Sequence, residues 1–195
     1  MSEVIPIYIG ISERFREIEG LTEFSIRKNT NANVVIKHIY PERESGCTGF
    51  SNVRFHIRHG IYLDPDMIVL GDIAELWAYR KKGKFVCIED KSTEVAVIDC
   101  EHSCRDKTQL KKLPMEPIIP TEWNVEDYRY FPNKPLPKNI KLFHFTSLPH
   151  QPWFHEHPHE DAKALYHEYL QMWKDSQKPK AVKKKTISLK KGRTR

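Results

Sequence analysis

Asp64 and Asp66 flank a proline at the end of an apolar run, Ile61-Tyr62-Leu63-Asp64-Pro65-Asp66. In an extended chain, residues two apart point to the same side, so both carboxylates are expected to address one ligand. Two like charges this close are costly to bury without compensation. A hard divalent cation is the usual compensation, and a Mg²⁺ or Mn²⁺ held by one or two carboxylates usually carries a substrate diphosphate as well. The chemistry to expect is that of a nucleotide-dependent transferase. Asp-Pro-Asp is also ordinary turn chemistry, so the pair needs company. His144 ends a second apolar run, Leu142-Phe143-His144. A neutral imidazole added to two carboxylates makes a mixed ligand set that suits Mn²⁺ better than Mg²⁺; alone, His144 reads as a hydrogen-bonded core histidine.

Other clusters of metal-ligating residue types are weaker. His150, His155, His157 and His159 follow His144 closely, but without a fixed scaffold the last three are expected as solvated loop residues. Cys100 and Cys104 with His102 between them lack a fourth ligand and the usual Cys-x-x-Cys spacing.

The elements that must position the carboxylates follow from periodicity. Val4–Ile9 reads as a buried first strand ending at Gly10, and Ser12 as the N-cap of a helix over 13–28, with Phe15, Ile18, Leu21 or Thr22, and Ser25-Ile26 near a helical period. Asn29–Asn33 breaks it, and Val34–Ile39 closes a β-α-β unit with parallel strands. Pro41–Gly49 is a loop, and Phe50–Arg58 a short helix or an irregular approach to the strand Ile61–Leu63. Met67–Leu70 follows, then a helix over Asp72–Tyr79 with Ile73, Leu76 and Trp77 on one face. Phe85–Ile88 and Glu94–Ile98 read as strands, whereas Arg105–Pro120 offers no regular pattern. Lys141–Phe145 reads as the last strand and Asp161–Lys174 as the last helix, with Ala164, Leu165, Tyr169, Leu170 and Trp173 available for packing. In open α/β sheets ligands bind beyond the carboxyl ends of strands, which is where Asp64 falls.

At 195 residues the chain suits one domain, over 1–175, followed by a tail over 176–195. The composition, 39% apolar and 30% charged, is that of a globular protein without a membrane span. Met1–Gly10 lacks a basic n-region and its apolar run is too short for a signal peptide, so cytoplasmic residence is expected, and with it reduced thiols at Cys47, Cys87, Cys100 and Cys104. The net charge of +6 belongs to the tail, which holds nine basic residues and no acidic one; residues 1–175 carry 23 basic against 26 acidic residues, a net −3. A body of that sign argues against nucleic acid as the main partner. An RNA-associated role for the tail ranks behind docking to an anionic membrane leaflet, where each basic residue contributes on the order of 1 kcal/mol before screening.

Several short motifs stand in the order found in glycosyltransferase family 8. They are Ile7-Tyr-Ile-Gly10 with Ser12-Glu-Arg14, Phe50-Ser-Asn-Val-Arg-Phe55, Ile61-Tyr-Leu-Asp-Pro-Asp66, Gly71-Asp-Ile-Ala-Glu-Leu76, Pro120-Thr-Glu-Trp-Asn124, and His144 to Trp153. The chain resembles that family over roughly residues 4–160. The resemblance implies an α/β protein of the GT-A fold, a Rossmann-like nucleotide-sugar-binding domain with a mixed central sheet flanked by helices. It implies a metal-dependent retaining transferase moving a hexose from a nucleotide-sugar, in the first instance a UDP-sugar, to a glycan, lipid-linked or protein acceptor. Asp64, Asp66 and His144 correspond to the family's Mn²⁺ (or Mg²⁺) ligands, and Gly10, Ile11, Ser12, Arg54 and Gln151 to donor-binding positions. No catalytic nucleophile carries over. The chain departs from the pattern in three ways: Gln151 stands where relatives often have a lysine for the diphosphate, only Arg58-His-Gly60 joins the Arg54 segment to the Asp64 strand, and the Asp99–Trp123 stretch is short. These departures leave a nucleotide-sugar-binding homologue without transferase activity as the alternative.

Overall fold

The computed structural model describes residues 3–41, 52–101 and 107–178. Strands β1 (Val4–Gly10), β2 (Asn33–Ile39) and β3 (His59–Leu63) are joined by parallel pairing, β1 lying between the other two. The peptide between β1 and β2 is a 3₁₀ segment, Glu13–Ile18, that runs into helix α1 (Glu19–Asn29). The expected helix over 13–28 is therefore two pieces, and Ser12 does not cap it: Ile18 is the N-cap of α1, and the Ser12 hydroxyl makes no cap bond. The periodic positions are nonetheless all buried, Phe15, Ile18, Leu21, Thr22, Ser25 and Ile26 included.

Beyond β3 the main sheet turns antiparallel. β6 (Val95–Asp99) pairs antiparallel with β3, β5 (Lys84–Ile88) antiparallel with β6, and β7 (Met115–Ile119) parallel with β5, giving the order β2-β1-β3-β6-β5-β7. The mixed sheet is as expected, but β7 is a correction to the reading of 105–120 as patternless. Pro117 hid it: a proline is tolerated in a strand at an edge or a bulge, and β7 is both the edge strand and the site of a register shift. A second, three-stranded sheet joins β4 (Met67–Val69), β9 (Leu142–His144) and β8 (Val125–Glu126), the last of these not expected. Helix α2 (Ile73–Trp77) starts where Asp72 accepts a bond from the Ala74 amide. Helix α3 (Glu160–Ser176) ends the described chain, with Ala162, Tyr166 and Tyr169 buried and Ala164, expected to pack, exposed.

Strand alternation sorts the side chains into layers. Ile5, Ile7, Ile9, Ile61 and Leu63 point from one face of the main sheet into the central core, while Tyr62, Cys87, Ala96 and Ile98 fill a core on the other face. The small sheet closes the central core with Met67, Val69 and Leu142, and sends Ile68, Phe143 and Val125 toward α3. β3 must lie close on β1, where a Cβ on Gly60 (φ +137°) would sit 2.6 Å from the Tyr8 ring. β4 is an edge strand whose free groups are taken by α1: Thr22 Oγ1 lies 2.6 Å from the Pro65 carbonyl and 2.8 Å from that of Met67, the Val69 amide donates to Ser25 Oγ at 2.9 Å, and Asn29 donates to the Val69 carbonyl at 2.7 Å. This polar stripe at helical spacing fixes the turn between β3 and β4. No helix among the described residues is long and apolar enough to cross a membrane.

Candidate metal and donor site

Asp64 and Asp66 converge, though not by alternation along one strand. β3 ends at Leu63 in the main sheet and β4 begins at Met67 in the small one, so the Asp64-Pro65-Asp66 turn crosses between sheets and each carboxylate is held by a different one. Both are 5% exposed and His144 is 2% exposed. One ligand atom from each of these three residues lies within 4.8 Å of the others, and among the described residues they are the one such group of His, Cys, Asp and Glu.

The main sheet holds Asp64. Tyr62, two residues back on the same face, donates its hydroxyl to Asp64 Oδ1 at 2.6 Å, and Arg54 Nη2 donates to the same oxygen at 3.3 Å. Arg54 comes from a 3₁₀ turn over 52–56. Its guanidinium lies 4.9 Å from the Tyr62 ring centroid and donates to Thr93 Oγ1 at 2.9 Å. The antiparallel partner β6 brings Glu94 alongside, its carbonyl accepting from the Asp64 amide at 3.2 Å. Burial pushes the Asp64 carboxyl up, Arg54 pulls it back and Asp66 pushes it up again, so it stays above the usual carboxylate value. Burial and then Asp64 hold the Tyr62 phenol well above its usual value, which keeps it a donor.

The small sheet holds Asp66. His144 Nε2 lies 3.1 Å from Asp66 Oδ1, and Gln151 donates its amide to Asp66 Oδ2 and to the Phe145 carbonyl, both at 3.1 Å. Asn124 Oδ1 lies 2.9 Å from His144 Nδ1, while Asn124 Nδ2 donates to Ser92 Oγ at 3.0 Å. With its amide thus fixed, Asn124 accepts the Nδ1 proton, and Nε2 is left facing the carboxylate. That nitrogen must carry either a second proton or a cation. Burial alone would lower the His144 imidazole, but Asp66, with Asp64 and Glu94 behind it, pushes it up to about 9. An N,O,O donor set with a hydrogen-bonded second nitrogen on the histidine is the construction of a protein metal site. The residues present fit Mn²⁺, and Mg²⁺ less well.

Of the sequence-derived positions, Arg54, Asp64, Asp66, His144 and Gln151 form this one network. Gly10, Ile11 and Ser12 lie beside it, because Ile9 and Leu63 are register partners on parallel strands whose carboxyl ends open on the same side. Among the described residues no hydrogen bond joins Ser12 to the carboxylates, and the Ser12 hydroxyl is buried with no partner. Gln151 Oε1 and Glu94 Oε2 are likewise buried without a hydrogen-bond partner.

His157 and His159 are corrections: 1% and 3% exposed, they are not solvated, and among the described residues they belong to no metal-ligating cluster. His157 Nδ1 lies 3.2 Å from both the amide and the carbonyl of His159, and Nε2 lies 3.2 Å from Asp127 Oδ2. Asp127 Oδ1 also accepts from the Thr146 and Ser147 amides at 3.1 and 3.2 Å. This pair anchors the segment between His144 and Gln151 to the start of α3, which His159 caps. Tyr62, Asn124 and Asp127 had no assigned role in the sequence; Tyr62 carried a signal, standing two residues before Asp64, and Asn124 another, closing the Pro120-Thr-Glu-Trp-Asn124 motif. Cys100 is buried in the second core, while His102, Cys104 and Cys47 lie outside the described residues, as do the loop after Pro41 and the basic tail beyond Lys178.

No protein-family model and no curated protein sequence matches the chain. Solved structures do. GlyE, a glycosyltransferase of Streptococcus pneumoniae TIGR4, superposes with a TM-score of 0.59 at 12% identity, over 90% of this chain and 64% of that one. An active-site mutant of LgtC gives 0.60 at 11% identity, over 86% of this chain and 96% of that one. WbbM, a bifunctional glycosyltransferase, gives 0.53 at 11% identity over 78% of this chain and 47% of that one. The chain thus has the GT-A glycosyltransferase fold while spanning less than two thirds of the GlyE chain.

Proposed function

We propose that the chain is a metal-dependent, retaining glycosyltransferase that moves a hexose from a nucleotide-sugar, in the simplest case a UDP-sugar, to a glycan, lipid-linked or protein acceptor. The observation that carries this reading is the convergence of Asp64, Asp66 and His144 at the junction of two sheets in a fold of this class. These three residues would hold Mn²⁺ or Mg²⁺, and the cation, when bound, neutralises charge that collects on the nucleoside diphosphate as the anomeric C–O bond breaks. The chain's own residues prepare the site. Arg54 and Tyr62 orient Asp64, Asn124 turns the His144 Nε2 lone pair inward, and burial of all three ligands excludes bulk water. The unpartnered Ser12 hydroxyl and Gln151 Oε1 support donor contacts at the Gly10-Ile11-Ser12 turn and at Gln151, since a buried unsatisfied polar atom costs about 1–3 kcal/mol that a bound donor would relieve.

A second reading, a nucleotide-sugar-binding homologue without turnover, draws support from Gln151. Its neutral amide is turned onto Asp66, which gives the diphosphate no full positive charge at that position. Thermal stabilisation by UDP is expected only with Mn²⁺ or Mg²⁺; absence of any shift with every nucleotide-sugar tried would sink both readings. Release of UDP from a UDP-sugar, abolished in Asp66→Ala, is expected of the transferase and not of the binder. The tail over 176–195 is proposed to dock on anionic membrane; equal vesicle binding by the full and the truncated chain would refute that.

A further inference from the structure

A cavity of about 320 Å³ opens beside the cation site. Its inner wall is β8 and the residue before it. Asn124 and Glu126 are two apart and face the same way, and Glu126 is the register partner of His144. Asn124 belongs to both spaces: it lines the cavity and holds the His144 ring at 2.9 Å. A molecule in the cavity is therefore one side chain away from the cation ligands.

The lining says what kind of molecule fits. Glu122 and Glu126 are balanced by Arg129 and Lys138, so the wall has no formal net charge. Arg129 is moreover already engaged, by Asp90 at 2.8 Å and by Glu126, and is not available to grip an anion. What remains is one carboxylate and one ammonium, Glu122 and Lys138, which cancel in formal charge, with amide and hydroxyl chemistry at Asn139 and Thr121 and apolar surface at Tyr130 and Pro137. Hydrogen-bonding groups set around an apolar plate suit a sugar ring, whose C–H face packs while its hydroxyls exchange hydrogen bonds. The volume lies at the lower end of small-ligand pockets, about 300–1,000 Å³, which favours a single ring over a long chain.

We propose that this cavity is the acceptor subsite and that it takes a terminal, uncharged sugar ring in preference to an anionic acceptor, an assignment that rests on the transferase reading above. On this assignment the acceptor wall is built by residues between 121 and 139. Asn139 is exposed on the rim, so Asn139→Trp closes the mouth without disturbing the core; Lys111→Trp, exposed elsewhere, is the control.

The test is saturation-transfer NMR on the full chain, with methyl gluco-, galacto- and mannopyranosides and sodium glucuronate as probes, alongside thermal shift with UDP and Mg²⁺. The expected result is binding of at least one neutral glycoside in preference to glucuronate, weakened about tenfold or more by Asn139→Trp and unchanged by Lys111→Trp, with the UDP response intact in both variants. Binding that survives Asn139→Trp, glucuronate binding at or above the neutral level, or no neutral binding at all would overturn the assignment. A missing UDP response in the unmodified chain would instead count against the transferase reading, and with it the acceptor role, whatever the glycosides do.

Discussion

The two carboxylates of the Asp64-Pro65-Asp66 turn are equally buried and two residues apart, yet they are compensated by different kinds of group. Asp64 faces Arg54, a cation that keeps its charge at any accessible pH, together with a tyrosine hydroxyl. Asp66 faces His144 and the neutral amide of Gln151. One half of the site has permanent compensation and the other conditional compensation, supplied by a proton that a cation can replace. The difference separates two tasks. The main-sheet side keeps a carboxylate buried and aimed, while the small-sheet side, on the proposed reading, would exchange its proton for a cation.

The sharpest way to break this comparison is to remove the permanent partner. Arg54→Met deprives the buried Asp64 of its permanent cation and is expected to lower stability by about 3–5 kcal/mol, the usual consequence of breaking a buried pair from one side. Urea unfolding measures it. Adding Asp64→Asn should restore a large part of the loss, because the uncompensated charge is then gone; a double variant no more stable than the single one would mean that Arg54 acts through packing on the Tyr62 and Phe55 rings.

The conditional side should reveal itself through pH. The folded-state value for His144, about 9, lies above its ordinary 6.5, so the bound proton stabilises the metal-free fold fully below pH 6.5, and this contribution is lost as pH rises through about 9. Cation binding has the opposite slope, because Nε2 must give up that proton. Mn²⁺ affinity is expected to rise about tenfold per pH unit up to about pH 9, and His144→Ala should be weaker throughout and flatter. Calorimetric titration at pH 7 and pH 8 reads both; equal affinities at the two values would mean that His144 is neutral before the cation arrives.

Asn124 tests the same side more gently. Without its carbonyl the His144 tautomer is no longer fixed, and Asn124→Ala is expected to weaken Mn²⁺ about 10–100-fold while Asp64 keeps its partners. Asn124→Asp, which retains the acceptor, should recover part of the affinity. Equal loss in both would show that the amide bond to Ser92, and not the acceptor oxygen, is what matters.

Much of this division was legible in the sequence and part of it was not. β1, β2, β3, the Asp64-Pro65-Asp66 turn and the strand that ends at His144 announce themselves because apolar runs and their punctuation are local properties. Asp64, Asp66 and His144 could be picked out as a group because a polar residue closing an apolar run is a local pattern, and the fold does bring the three together. β7 was concealed by Pro117, whose place at a sheet edge depends on strands far away in sequence. Burial of His157 was hidden for the same reason: Asp127 lies 30 residues before it, and only the packed chain shows that the two are in hydrogen-bond contact. Thr22 and Ser25 looked like ordinary helix positions, and Asn29 like the residue that breaks the helix, until β4 proved to be an edge strand in need of partners. What a sequence hides here is pairing between distant polar groups, and such pairing is what distinguishes the two halves of the site.

The finest test is Gln151, the neutral member of the conditional side. Replacing it with Leu removes a hydrogen bond to a carboxylate, worth about 1.5–3 kcal/mol, and one to the Phe145 carbonyl, worth about 0.5–1.5 kcal/mol, but also removes the buried, unpartnered Oε1, whose burden is about 1–3 kcal/mol. Loss and relief have opposite sign, so urea unfolding of Gln151→Leu is expected to differ from the parent by no more than about 2 kcal/mol. If Oε1 is the atom that meets the donor, the UDP response with Mn²⁺ should weaken in the same variant although the fold does not. A loss as large as that in Arg54→Met would erase the contrast between the two carboxylates, because Asp66 would then depend on its fixed partner as heavily as Asp64 does.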